Sequence, residues 1–269
     1  MEQVLKTMLE NVRAKSPLVH NITNYVTVND VANVLLAAGG SPIMSDDADD
    51  VEDITSICGG LNINIGTLNK NTIPSMFLAG KKANALGHIV LLDPVGAGAS
   101  RLRTDTANRL MQEVRFDAVR GNISEIKTLC TGSGSTKGVD ADAVDAVTEA
   151  NLDNGVQLVK TFAAQTGCII AVTGAIDLVS DGERCWCIRN GRAEMSRITG
   201  TGCQLSALMT AFLVANPDRK LDAAAAAVCM MGLAGEIGWA NMQPGDGNST
   251  YRNRIIDAIF NMTGDALEE

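Results

Sequence analysis

Short, unbroken apolar runs alternate along the chain with stretches in which apolar residues recur every three or four positions. The runs lie at 43–44, 61–65, 88–92, 118–119 and 168–172, each of a length that suits a strand. Between them, 26–38, 51–58, 72–86, 105–114 and 156–166 predict helices. Strands that are apolar throughout must be buried on both faces, which is the pattern of a parallel sheet with helices on either side. Residues 1–15 mix charges with Val4, Leu5, Met8, Leu9 and Val12, and predict an amphipathic helix rather than the apolar block of a leader. After Thr173 the pattern changes. Segments 178–180 and 184–188, joined by Asp181-Gly182-Glu183, predict a β-hairpin. Helical stretches at 203–214, 221–242 and 251–262 follow. The Gly-, Ser- and Thr-rich segment 131–136 predicts a mobile loop, within a loop from 131 to 145 rich in Gly, Ser and Asp. Neither a repeat nor a linker breaks residues 1–269, so one α/β domain with a C-terminal helical part is expected.

Composition sharpens this picture. Single α/β domains reach about 250 residues, and the 269 here fit one large core. Hydrophobic residues make up 46% but aromatics only 3%, so the core is built from aliphatic side chains. A net charge of -9, with Lys and Arg scattered, argues against nucleic acid, whose binding needs clustered positive charge. Seven cysteines without a Cys-x-x-Cys pair are read as reduced thiols in a cytoplasmic protein. No apolar run approaches the about 18 residues that span a bilayer, so no membrane partner is expected.

Several strand ends carry candidate chemistry, and ligands of open parallel sheets gather beyond those ends. Thr199-Gly200-Thr201-Gly202-Cys203 stands just before an apolar helix. Its small residues let a ligand approach the backbone, and the helix start directs unpaired N–H groups and positive charge at it. A phosphoryl group suits such a place. Cys203 falls in the first turn, where the same field is expected to lower its pKa. An ordinary glycine-rich turn with a buried, inert cysteine fits the spacing as well. Asp93-Pro94-Val95-Gly96-Ala97-Gly98 is not a dinucleotide fingerprint, since Arg101 stands where the third glycine belongs. Its aspartate could hold Mg²⁺ through water, orient a hydroxyl or merely close a turn. In Arg120-Gly121-Asn122-Ile123-Ser124-Glu125, the arginine can grip phosphate and Asn122 and Glu125 can reach hydrated magnesium. The same spacing of Asn122 and Glu125 spells a helix capping box, and the two readings are compatible. Thr173-Gly174 with Asp177 offers a hydroxyl to nucleotide phosphates or simply turns the chain. Two histidines, His20 and His88, are too few for a multi-His metal site. No Gly-x-x-x-x-Gly-Lys-Ser/Thr run occurs, which argues against a P-loop enzyme.

Read in order, these segments resemble the motifs of the hydroxyethylthiazole kinase family. Pro17-Leu18-Val19-His20-Asn21-Ile22-Thr23-Asn24, Gly40-Ser41-Pro42-Ile43-Met44 and Asn64-Ile65-Gly66-Thr67-Leu68 add to the likeness, which runs from about residue 17 to the C-terminal helices. The resemblance implies a ribokinase-like fold: a mostly parallel central sheet with helices on both faces. It implies transfer of the ATP γ-phosphoryl group to the primary alcohol of 4-methyl-5-(2-hydroxyethyl)thiazole, with Mg²⁺, in a homotrimer whose active sites lie at subunit interfaces. The thiazole is then expected at Asn24, Val26 and Met44, near the Gly66-Thr67 turn and the Gly200 backbone. ATP is expected at Arg120, Asn122, Thr173 and Gly202, and the metal at Asp93 and Glu125. Cys203 takes the place where most ribokinase-like kinases carry an aspartate as general base. Asp46-Asp47 and Asp49-Asp50 make the stretch after Met44 more acidic than the resemblance leads one to expect. Two other readings keep a nucleotide cleft: a sister enzyme, such as a hydroxymethylpyrimidine kinase or an ADP-dependent hydrate dehydratase, and a non-catalytic nucleotide-binding regulator. The sister enzymes typically place Asp at the Cys203 position, and a regulator would be expected to lose the charged set of Asp93, Arg120 and Glu125.

Overall fold

The computed structural model describes residues 3–132 and 146–268; most of the loop expected at 131–145 lies outside the described residues. The sheet has eight strands: β1 (Leu18–Ile22), β2 (Ser41–Met44), β3 (Gly60–Asn64), β4 (Ile89–Asp93), β5 (Ala118–Asn122), β6 (Ile169–Thr173), β7 (Asp177–Ser180) and β8 (Cys185–Ile188). Their order is β2-β1-β3-β4-β5-β6-β7-β8. Pairing is parallel from β2 through to β6, and the expected hairpin β7–β8 adds two antiparallel strands, with β8 at the edge.

Alternation along the strands sorts the core into two layers. In β4, Ile89 and Leu91 face one layer while Val90 and Leu92 face the other; in β6, Ile169 and Ala171 oppose Ile170 and Val172. The first layer holds α1 (Val4–Lys15), α2 (Val28–Ala38), α8 (Thr201–Ala215), α9 (Lys220–Ala240) and α10 (Asn248–Asn261). The second holds α3 (Val51–Ile57), α4 (Thr72–Leu86), α5 (Arg101–Glu113), α6 (Ile123–Thr131) and α7 (Leu152–Thr166). Small residues set the approach distance in the first layer. A Cβ at Gly60 would lie 2.5 Å from Val214 of α8, so only glycine lets that helix sit against β3. Ala223 to Ala227 of α9 are all buried against neighbours on every side.

Two expectations need correction. Strand β1 was not foreseen, because His20 and Asn21 interrupt its apolar pattern. The fold absorbs both: His20 bonds Thr55 Oγ1 at 3.0 Å and the Ser45 carbonyl at 2.9 Å, and Asn62 donates to Asn21 Oδ1 at 3.1 Å. Residues 217–240 do form a helix long and apolar enough to cross a membrane, contrary to the expectation that no apolar run reaches that length. Here 67% of that window is buried, packed against α1, α8, α10 and the sheet.

Candidate active site

The carboxyl ends of the parallel strands and the start of α8 converge on a cleft of about 570 Å³. Asn24, Val26, Gly66, Thr67, Asp93, Arg120, Asn122, Glu125, Gly200, Gly202 and Cys203 all line it. A second cleft of about 690 Å³ adjoins it, shares Arg120 and Gly202, and adds Thr173. Leu205, Val228 and Met231 give the second cleft an apolar wall, and both volumes lie in the range of small-molecule sites. Met44 stands apart. It lines a smaller cavity with Asn21, Tyr25 and Thr72 that meets the main cleft at Thr67.

Asp93 closes β4 with no side-chain exposure. Its Oδ2 accepts from Asn64 Nδ2 at 2.7 Å and from Ser206 Oγ at 2.8 Å, while Oδ1 has no hydrogen-bond partner among the described residues. Arg120 Nη1 lies 3.8 Å from that oxygen. Burial pushes the Asp93 carboxyl up from its ordinary value, against the pull of Arg120, Ser206 and Asn64. Glu125 opens α6 and closes the capping box: Oε2 accepts from the Asn122 N–H at 2.8 Å, and Asn122 Oδ1 accepts from the Glu125 N–H at 2.9 Å. Its other oxygen accepts from the Gly96 N–H at 2.7 Å, which ties the β4 loop to the β5 loop. Burial and the nearby Asp93 charge push Glu125 up to about 7. One geometry thus serves the cap and leaves carboxylate lone pairs toward the cleft.

Arg120 crosses from β5 to the start of α8. Its Nη2 donates to Thr173 Oγ1, and its guanidinium lies so close to Gly202 that a Cβ there would meet Nη1 at 2.4 Å. Gly200 has φ 87° and lies against Thr27, so glycine is required at that position of the turn. Among the described residues, no side chain caps the start of α8. The guanidinium and the first amides of α8 therefore present two positive ends to one place, an arrangement suited to an anion.

Cys203 is 9% exposed at the floor of the main cleft, and its sulfur accepts from Asn24 Nδ2 at 3.1 Å and Asn64 Nδ2 at 3.2 Å. The expected lowering of its pKa is corrected. Burial, then the Asp93 charge, push the thiol up, outweighing the hydrogen bonds of Asn24 and Thr27 and the charge of Arg120. A helix start alone does not decide a thiol buried this deeply.

The sequence profile of the hydroxyethylthiazole kinase family matches residues 9–265. The chain belongs to the hydroxyethylthiazole kinase family. It is 58% identical to the hydroxyethylthiazole kinase of Clostridium acetobutylicum, over 99% of this chain and 97% of that protein. The corresponding kinase of Clostridium beijerinckii is 49% identical over 98% and 94%. A solved hydroxyethylthiazole kinase from Pyrococcus horikoshii OT3 superposes with a TM-score of 0.86 at 32% identity, covering 97% of this chain and 94% of that one. A ribokinase-like superfamily protein from Enterococcus faecalis V583 shares the fold at a TM-score of 0.64 and 11% identity, over 96% and 94% of the two chains. The fold is therefore ribokinase-like, and the rival readings drawn from sister enzymes find no support among these close relatives.

In these clefts, sequence reading singled out Asp177 but missed Thr27, Asn64, Ser206 and, in the second cleft, Asn190. Asp177 accepts from the Gly174 N–H at 2.8 Å, and burial pushes it up to about 6. Asn64 stood inside a quoted segment, and Ser206 lies one helical turn beyond Gly202; their partners 29 and 113 residues away leave no local signal.

Proposed function

We propose that this chain transfers the γ-phosphoryl group of ATP to the primary alcohol of 4-methyl-5-(2-hydroxyethyl)thiazole. The observation that carries the reading is the meeting of Cys203, Asp93, Arg120 and Glu125 in one cleft at the start of α8, in a chain this similar to hydroxyethylthiazole kinases. Phosphoryl transfer asks a protein chiefly for positioning and charge neutralisation. ATP would occupy the second cleft, its base against Leu205, Val228 and Met231 and its phosphates toward Arg120, Asn122, Thr173 and Gly202. The thiazole would lie at Asn24, Val26, Gly66, Thr67 and Gly200, with Met44 reached through the adjoining cavity.

The alcohol oxygen attacks the γ-phosphorus as the bond to the β-phosphate oxygen breaks, and its proton passes to the thiolate form of Cys203, which becomes the thiol. Arg120 and the α8 amides stabilise the charge on the migrating group. Mg²⁺ would be held by Asp93 and Glu125 and would neutralise phosphate oxygens. The donor set fits that ion: the buried Asp93 Oδ1 has no other hydrogen-bond partner among the described residues. No cluster of three or more His, Cys, Asp or Glu occurs among those residues. Magnesium, which keeps waters and substrate oxygens about one or two carboxylates, needs no larger cage.

The oligomer is read as a homotrimer with sites at subunit interfaces. Tyr25 and Val26 beside the main cleft and Leu36 on α2 are 78%, 56% and 57% exposed, an apolar rim that a neighbouring subunit would cover. The seven free thiols accord with a cytoplasmic setting.

Incubating purified protein with the thiazole alcohol and Mg·ATP, with mass spectrometry of the product, tests the reading. The phosphate monoester is expected. Phosphorylation of a different alcohol from a panel, or none at all, would overturn it.

A further inference from the structure

Asn64 ends β3 in register with Asp93 at the end of β4, and it is 1% exposed. Its side-chain amide makes four contacts. Nδ2 donates to Asp93 Oδ2 at 2.7 Å and to Cys203 Sγ at 3.2 Å. Oδ1 accepts from the Gly66 N–H at 2.9 Å and from Asn24 Nδ2 at 3.1 Å. An amide offers two N–H donors and an oxygen with two lone pairs, so its whole capacity is committed. The reversed amide would set its oxygen against both the Asp93 carboxylate and the sulfur, so a single orientation is fixed.

These partners are not an arbitrary set. Cys203 is the proton acceptor of the reading above, the Gly66 turn borders the acceptor substrate, and Asp93 borders the nucleotide. Asn24, the second donor to the sulfur, is itself held by Asn64 and by Thr27 Oγ1 at 3.1 Å. Asn64 also lines the Met44 cavity, so it forms the wall between that space and Cys203. Simple packing of the Gly66 turn would need only the Oδ1 contact. The two donor contacts have no such use.

Resting on the proposed kinase reading, we propose that Asn64 is a positioning residue for phosphoryl transfer, its amide holding the Cys203 sulfur, the Gly66 turn and Asp93 in one fixed arrangement. It acts on the acceptor alcohol through Cys203 and the turn, and it does not touch the nucleotide cleft.

A double-mutant cycle between Asn64 and Cys203 tests this. Asn64→Ala is expected to lower kcat by about 100-fold and raise the KM for the thiazole by about 10-fold, with the KM for ATP within about 2-fold. In a Cys203→Ala background the further loss in kcat is expected to shrink below about 3-fold, because the residue acted through the sulfur. An equal loss in both backgrounds, or both KM values rising together, would overturn the proposal. Asn64→Asp keeps the shape and the acceptor oxygen but removes both donors; activity within about 3-fold of wild type would also overturn it. Should the alanine protein not fold, Asn64→Ser carries the same cycle. Alkylation of Cys203 by iodoacetamide, followed by peptide mass spectrometry, reads the contact without turnover. A rate in Asn64→Ala unchanged from wild type overturns the inference, whereas a wild type inactive on the thiazole sinks only the kinase reading.

Discussion

Two aspartates at opposite ends of the sheet have opposite surroundings. Asp117, just before β5, accepts from Lys220 Nζ on Oδ1 at 2.6 Å and from the Val90 N–H on Oδ2 at 2.9 Å. Its backbone N–H donates to the Val90 carbonyl and its own carbonyl accepts from the Ile169 N–H, both at 2.8 Å. Asp93, at the end of β4, keeps one oxygen without a hydrogen-bond partner among the described residues, beside an arginine whose Nε also lacks one. Buried polar atoms are normally paired, and the exceptions need a reason. The same residue type stitches strands together at one end and leaves one carboxylate oxygen unbonded among the described residues at the other.

The strongest test of that contrast is to blunt both carboxylates. Asp93→Asn is expected to reduce kcat/KM by about 1,000-fold or more, since it removes charge aimed at the reacting centre. Its thermal stability should hold or rise, because a buried charge disappears. Comparable activity loss in Asp117→Asn would break the comparison. The next test concerns Cys203. Because its thiol is pushed above the usual value of 9.0, the thiolate fraction and kcat should both climb as pH rises from neutral into the alkaline range. Cys203→Ala should flatten the climb at a rate lower by about 100-fold, the low end of general-base assistance. Cys203→Asp should restore activity and move the rise to acid pH, read from kcat profiles across the range.

Asp117→Asn, smaller in effect, is expected to lower stability by about 1 kcal/mol in denaturant unfolding, with kcat within a few-fold. Lys220 is 38% exposed, and solvent screening keeps the loss modest. The mildest signal is a pH trend in metal-free protein. Glu125, normally near 4.5, sits at about 7, so folding binds its proton more tightly than the unfolded chain does. Its favourable contribution is complete below pH 4.5 and is lost as pH rises through about 7. The melting temperature of Glu125→Gln should therefore gain on wild type over that interval; a constant gap would count against the shift.

These residues also mark what a sequence discloses. The apolar strands β4 and β6, the hairpin and the Asn122–Glu125 cap were legible because periodicity and short-range spacing encode them. Strand β1 was not, since its buried His20 and Asn21 read as polar until Thr55 and Asn62 are known to face them. The cleft at the start of α8 could be placed from its glycines. The direction of the Cys203 shift could not, because depth of burial and the nearness of Asp93 arise only when distant segments meet.

The alanine-rich α9 links the two ends. Its first residue, Lys220, is fastened to Asp117, while Val228, Met231 and Gly232 further along it form part of the second cleft. With 21 residues it spans roughly 30 Å. Its alanines are buried on all sides, so neighbours hold this rod between the two ends of the sheet. The same helix that is fastened to the foot of β5 thus supplies one wall of the second cleft.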